Sequence, residues 1–268
     1  MSVLAKAEAR KLLQKYCIKS PTELHLEKIA NAEHLIIEES ELNNFIGIVN
    51  YSDGYGLIKI HSGIKEAGQK RFVIAHEMGH YYNHNKNRDG CSLTDLLSYS
   101  SQRSIEAEAN AFAAELLMPA EWVKDFVRKN KPGLDLLIKG AEYFGVSLSA
   151  AGIRIAETGD YPFAVIMSTA GKVKWHSINT SFPFNWIPIG YKVNNNSYAF
   201  DLFEMQDAKR KTKDVKSENI TCENSEAEEV LADAWFWEDN HYKKNYYIYE
   251  QNINMPYYNS VLTILWAK

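Results

Sequence analysis

Cysteine is scarce. Cys17, Cys91 and Cys222 stand far apart in 268 residues, and none belongs to a CxxC pair. That count excludes a disulfide scaffold and fits a reducing cytoplasm. Long apolar runs are missing too. No stretch approaches the ~18 apolar residues that a membrane span needs. The first twenty residues alternate charged and apolar side chains without a continuous apolar segment, so no secretory signal is expected. The sequence therefore predicts a cytoplasmic protein with no membrane partner. A basic excess is also absent: net charge is −4 and the pI about 6.1. A chain that works mainly through phosphate contacts carries positive charge, so direct nucleic-acid binding is not expected. No internal repeat is present.

What remains is ordinary globular composition, with 46% hydrophobic and 24% charged residues. It allows one large domain or two modest ones. Val3 to Tyr16 reads as an amphipathic helix, with Leu4, Leu12, Leu13 and Tyr16 expected inside. Thr22 opens a second short helix. Leu35 to Ile37, Phe45 to Asn50 and Gly56 to Ile60 read as strands, the last two joined by a Ser-Asp-Gly hairpin signal at Ser52 to Gly54. A helix is predicted from Gln69 to Asn83 and another from Ser104 to Leu117. Asn85 to Gly90 is turn-rich. Glu121 to Lys129 is helical again, and Leu134 to Thr158 reads as short helices around Phe144 to Ser147.

Gly159 to Pro162 is the predicted domain boundary. Beyond it the aromatic and β-branched segments Phe163 to Met167, Val173 to Ser177, Ala234 to Glu238, Tyr246 to Tyr249 and Val261 to Trp266 read as strands. The charge-dense Gln206 to Glu229 reads as a solvated insert. The expected fold class is α+β. A domain over 1–130 carries a small mixed sheet and the site helices, 131–159 is a helix-turn-helix-like segment, and 160–268 is β-rich.

The informative segment is His76-Glu77-Met78-Gly79-His80, an HExxH. Chance places this motif in roughly one of fifty such chains. On a helix, residues four apart share a face, so His76 and His80 can grip one divalent ion. Glu77 beside them is placed to take a proton from water activated by zinc. A hydrolytic zinc site needs a third protein ligand. His84 lies eight residues beyond His76, roughly 12 Å along a helix axis, too far for one ion. The helix from Ser104 offers Glu106 or Glu108. These point about 200° apart, so only one can face the metal. Glu106 shares a face with Asn110, which can orient His76 through its second ring nitrogen. The alanines at 107, 109, 111, 113 and 114 would let the two helices approach closely.

The run Arg71-Phe72-xx-Ala75-His76-Glu77-x-Gly79-His80 is followed by Glu106-xx-Ala109-Asn110-x-Phe112-Ala113-Ala114-x-Leu116-Leu117-Met118-Pro119. Together they resemble the ImmA/IrrE metallo-endopeptidases, over residues 20–158. The resemblance implies a gluzincin-like fold in which a small mixed sheet packs on two zinc-bearing helices. It implies His76, His80 and Glu106 as ligands of Zn2+ and Glu77 as general base. It also implies a helix-turn-helix repressor as substrate, whose cleavage derepresses stress or mobile-element genes. The alternative is a regulator that grips a repressor or antitoxin without cutting it.

Other features have ordinary readings. Ala141 to Ile155 has helix-turn-helix spacing, but charge over 134–158 sums to −1, a poor face for phosphates. The aromatics of the last third read as a β-domain core, with a ligand-sensing pocket as the alternative. Arg71 is expected to pair with a carboxylate. Tyr81 or Tyr82 could donate to an oxyanion, although packing is the expected role. Cys91 is a loop cysteine near the site.

Overall fold

Helical period decides which face of the first element is buried. In the computed structural model, residues 2–52, 54–84, 105–211, 225–237 and 245–267 are described. Helix α1 (Ser2–Lys15) buries Ala5, Ala9, Leu12 and Leu13 at the 4-3-1 spacing of one face. Leu4 does not join them. It is exposed because it shares the opposite face with Glu8 and Lys11, which pair with each other. Pro21–Glu23 forms a single 3-10 turn, so α2 begins at Leu26 (Leu26–Ala32) rather than at Thr22.

Three strands follow: β1 (Leu35–Ser40), β2 (Gly47–Ser52) and β3 (Tyr55–His61). Their order is β1-β3-β2, with β1 parallel and β2 antiparallel to β3. Ser52 pairs with Tyr55 across the hairpin, and Gly54 takes the left-handed φ of 86° that such a short turn demands. Helix α3 (Ala67–His84) carries the HExxH, and α4 (Ile105–Leu117) carries Glu106. The two run close together because both are small where they meet: a Cβ on Gly79 would stand 3.0 Å from the Ala109 backbone. The residues between them, with the predicted turn at Asn85 and Cys91, lie outside the described residues, as do 212–224 with Cys222.

Helices α5 (Ala120–Arg128), α6 (Leu134–Phe144) and α7 (Leu148–Thr158) come next. Gly145, at φ 63°, turns the chain between the last two. The remaining elements are β4 (Phe163–Thr169), β5 (Lys172–Ile178), α8 (Tyr198–Lys211), β6 (Glu228–Leu231), α9 (Asp233–Phe236), β7 (Tyr247–Met255) and β8 (Ser260–Ala267). The strands form an antiparallel sheet in the order β5-β4-β8-β7-β6.

Two expectations for this region fail. Of the strand expected over Ala234 to Glu238, the described residues 234–237 form none: the chain leaves the sheet after Leu231, and α9 turns Trp235 and Phe236 into the core; Glu238 lies outside the described residues. The charge-dense segment is not wholly a solvated insert, since α8 runs through it to Lys211 and buries Gln206. Gln206 donates through Nε2 to Asn254 Oδ1 at 2.6 Å and to the Ser260 carbonyl at 3.3 Å, while its buried Oε1 has no partner among the described residues.

The chain divides into two compact units. The first comprises Met1–Trp122 and Gly140–Ala151, the second Val123–Lys139 and Gly152–Lys268. Within the first, the sheet and α1 flank the α3/α4 pair. Within the second, both faces of the sheet are covered. Gly152 of α7 sits on Val165, while Phe182, Phe184, Trp235 and Phe236 build an aromatic core with Ala164 and Ile166. No helix among the described residues is long and apolar enough to cross a membrane.

Candidate metal centre

One turn of α3 separates His76 from His80, and both point to α4. Their Nε2 atoms stand 3.0 Å apart. Glu106 Oε2 lies 3.1 Å from the first and 3.2 Å from the second. These three side chains are the group of metal-ligating type that converges among the described residues; Glu108 is not in it. Four residues along α4, Asn110 Oδ1 meets His76 Nδ1 at 2.9 Å. The amide oxygen accepts, so Nδ1 carries the hydrogen and the neutral ring presents its Nε2 lone pair to Glu106 and His80.

The histidines and Asn110 are buried and Glu106 is half-buried. Burial alone would push the Glu106 carboxyl up. The His76 and His80 imidazoles beside it outweigh burial and hold the group well below the usual carboxylate range, so it is ionised at neutral pH. Three atoms of metal-ligating type thus face one another at 3.0–3.2 Å. Tetrahedral coordination at zinc distances places ligand atoms roughly 3.3–3.4 Å apart. The donor set therefore fits a divalent ion and could hold one.

Glu77 also lies on α3 and is buried. What sits beside it was not apparent from the sequence. A Cβ on Gly47 would stand 2.5 Å from Glu77 Oε1 and 2.7 Å from Val73 Cγ1. Strand β2 therefore passes its backbone close against the carboxylate, and a side chain at position 47 would have to displace Glu77 or Val73. A glycine inside a strand pattern is the available signal of such an approach.

The neighbouring residues have structural roles. Tyr82 stacks on Phe112 with centroids 5.5 Å apart, and Tyr81 meets Tyr51 edge-on at 5.6 Å. His61 ends β3, its Nδ1 accepting from Gly63 N at 2.8 Å. Arg71 forms no ion pair among the described residues: its Nη1 reaches the Leu24 carbonyl at 3.5 Å, and burial lowers its pKa against the opposing pull of the Glu27 charge. The turn between α6 and α7 lies on the start of α3, since a Cβ on Gly68 would stand 2.5 Å from the Val146 carbonyl carbon.

Known proteins resemble this chain to different extents. The chain is 30% identical over 132 residues to Uncharacterized immunity region protein 2 of Bacillus phage phi105, covering 49% of this chain and 78% of that protein. A Mycobacterium tuberculosis transcriptional regulator has the same fold, with a TM-score of 0.56 at 12% identity over 98% of this chain and 87% of the other. Residues 33–156, which span β1 to α7 and hold every residue of the cluster, match the IrrE N-terminal-like domain of the Peptidase_M78 family. The chain belongs to that family of metallopeptidases.

Proposed function

We propose that the chain is a zinc-dependent endopeptidase in which His76, His80 and Glu106 hold the metal and Glu77 is the general base. The observation that carries this reading is the convergence of two Nε2 atoms and one carboxylate oxygen within hydrogen-bond distance of each other. Bound zinc supplies Lewis acidity, which acidifies water and polarises a peptide carbonyl. Glu77 takes the proton of the attacking water and delivers it to the leaving amine nitrogen. Asn110 keeps His76 in the tautomer that binds. Three protein ligands leave a fourth position for water or substrate.

Strand β2 supplies the peptide track. It lies at the end of its sheet's strand order. His61 N donates to Ile46 O, so the alternate residues Gly47, Val49 and Tyr51 turn their amide and carbonyl groups away from β3. An extended peptide adding there would run past Glu77. The proposed substrate is a helix-turn-helix repressor in the cytoplasm, cut to derepress stress or mobile-element genes. The immunity-region relative and the regulator sharing the fold support that class of target.

The test compares new peptide N-termini in a lysate of the source cells treated with zinc-loaded wild type or Glu77→Gln. Wild type is expected to release new termini within a repressor. Glu77→Gln should bind zinc and cut about 10²–10⁴-fold more slowly. Equal cutting by both would contradict the mechanism. Capture of a repressor without cutting by either would favour a gripping regulator.

A further inference from the structure

The second unit contains a cavity of about 540 Å³, formed by the loop after α5, the first turns of α6, and strands β7 and β8. That volume falls in the ~300–1,000 Å³ range of small-molecule sites. Its charged lining is lopsided: Lys129, Lys131 and Lys139 against Asp135. Nearby cations are already engaged, as Lys124 and Arg128 both pair with Asp160. The three cavity lysines make no ion pair among the described residues.

The floor is set in advance. Gln251 is held at both ends, its Oε1 accepting from Leu134 N at 2.8 Å and its Nε2 donating to Ser225 O at 3.0 Å. The Trp266 ring lies flat on Tyr249, 5.3 Å between centroids and 19° between planes. Gly133, at φ 132°, turns the loop over this floor; a Cβ there would come within 3.2 Å of Gln251 Oε1. The wall is therefore an ordered amide and an indole, and three of the residues around it are lysines whose charge is unpaired among the described residues.

We propose that this cavity binds a small phosphate-bearing molecule. Lysines on flexible stems can gather several oxygens of a multiply charged anion, and the indole edge accepts an apolar or ring-bearing remainder. The concave shape and the overall charge of −4 favour a small ligand over a nucleic-acid backbone.

Isothermal titration of the full-length, metal-free chain with ATP and with sodium tripolyphosphate tests this. Citrate and a DNA duplex serve as competitors of other classes. Both phosphate compounds are expected to bind saturably. Affinity should fall about tenfold or more in the Lys129→Ala/Lys131→Ala/Lys139→Ala triple variant and hold in Lys124→Ala, with unchanged circular dichroism in both. Tighter binding of ATP than of tripolyphosphate would assign the ring-bearing part to the Trp266 side. The proposal is overturned if neither phosphate compound binds, or if the triple variant binds them as well as wild type. It is also overturned if Lys124→Ala loses as much affinity, or if citrate or DNA binds more tightly through the same lysines.

Discussion

Glu106 and Glu250 are both carboxylates set among buried polar side chains, one in each unit, and their surroundings are opposite in kind. Around Glu106 stand two imidazole nitrogens, atoms that offer lone pairs to a metal in the neutral ring. Around Glu250 stand only donors. Its Oε1 accepts from Ser197 Oγ at 2.8 Å, Ala199 N at 3.0 Å and Asn252 Nδ2 at 2.8 Å, and its Oε2 from Trp235 Nε1 at 2.9 Å. Ser197 and Ala199 lie at the start of α8, so this carboxylate caps a helix and ties it to β7 and α9. The difference separates a site from a joint. Lone pairs gathered together call for a cation, whereas a carboxylate ringed by donors is complete in itself and holds the fold.

The comparison breaks most visibly at Glu250. Replacing it by alanine would leave four buried donors without an acceptor, at a cost of about 3–5 kcal/mol. Replacing it by glutamine should cost less, about 1–3 kcal/mol, because one oxygen remains. Chemical denaturation measures both, and the metal content of the folded fraction should not change.

The charge on Glu250 carries a pH signature. Burial pushes its carboxyl above the ordinary 4.5, against the pull of its four hydrogen bonds. Between 4.5 and that raised value the unfolded chain has lost the proton and the folded chain still holds it. The stability it contributes is therefore full below 4.5 and declines as pH rises through the folded value. Wild type should lose its advantage over Glu250→Gln as pH rises. A gap that stays constant with pH would contradict this assignment.

Gly47→Ala sharpens the other side. The new Cβ would meet the Glu77 carboxylate and Val73, so overpacking should cost about 1–3 kcal/mol and cleavage should fall further than stability explains. Metal should still bind, since the atoms that the new Cβ meets first belong to Glu77 and Val73 and not to His76, His80 or Glu106. A variant that cuts at the wild-type rate would remove β2 from the site. The smallest effect belongs to an exposed pair. Asp160→Asn loses the Arg128 contact at 2.7 Å, but both side chains are largely exposed, so the midpoint should move by less than about 1 kcal/mol.

The two clusters were unequally legible in the sequence. The Glu106 cluster is built from two local i,i+4 pairs, His76/His80 and Glu106/Asn110, and helical period places each pair on one face without knowledge of the rest of the chain. The Glu250 cluster draws Ser197, Trp235 and Asn252 from three separate elements. A lone glutamate between tyrosine and glutamine in β7 reads like any surface charge. Gln206 was hidden in the same way, inside a stretch whose charges looked solvated. The Gly47 contact was hidden because it joins β2 to a helix thirty residues later, and a glycine announces no partner. The aromatic run Trp235 to Trp237 has strand propensity, but it was overridden by the packing of Phe236 and the hydrogen bond of Trp235 to Glu250.

Metal content per chain, measured by elemental analysis on wild type, Glu106→Ala and Glu250→Gln side by side, tests the central claim most directly. The account predicts about one zinc in wild type and in Glu250→Gln, and none in Glu106→Ala. A wild type that takes up no metal, or a Glu106→Ala protein that keeps it, would contradict it.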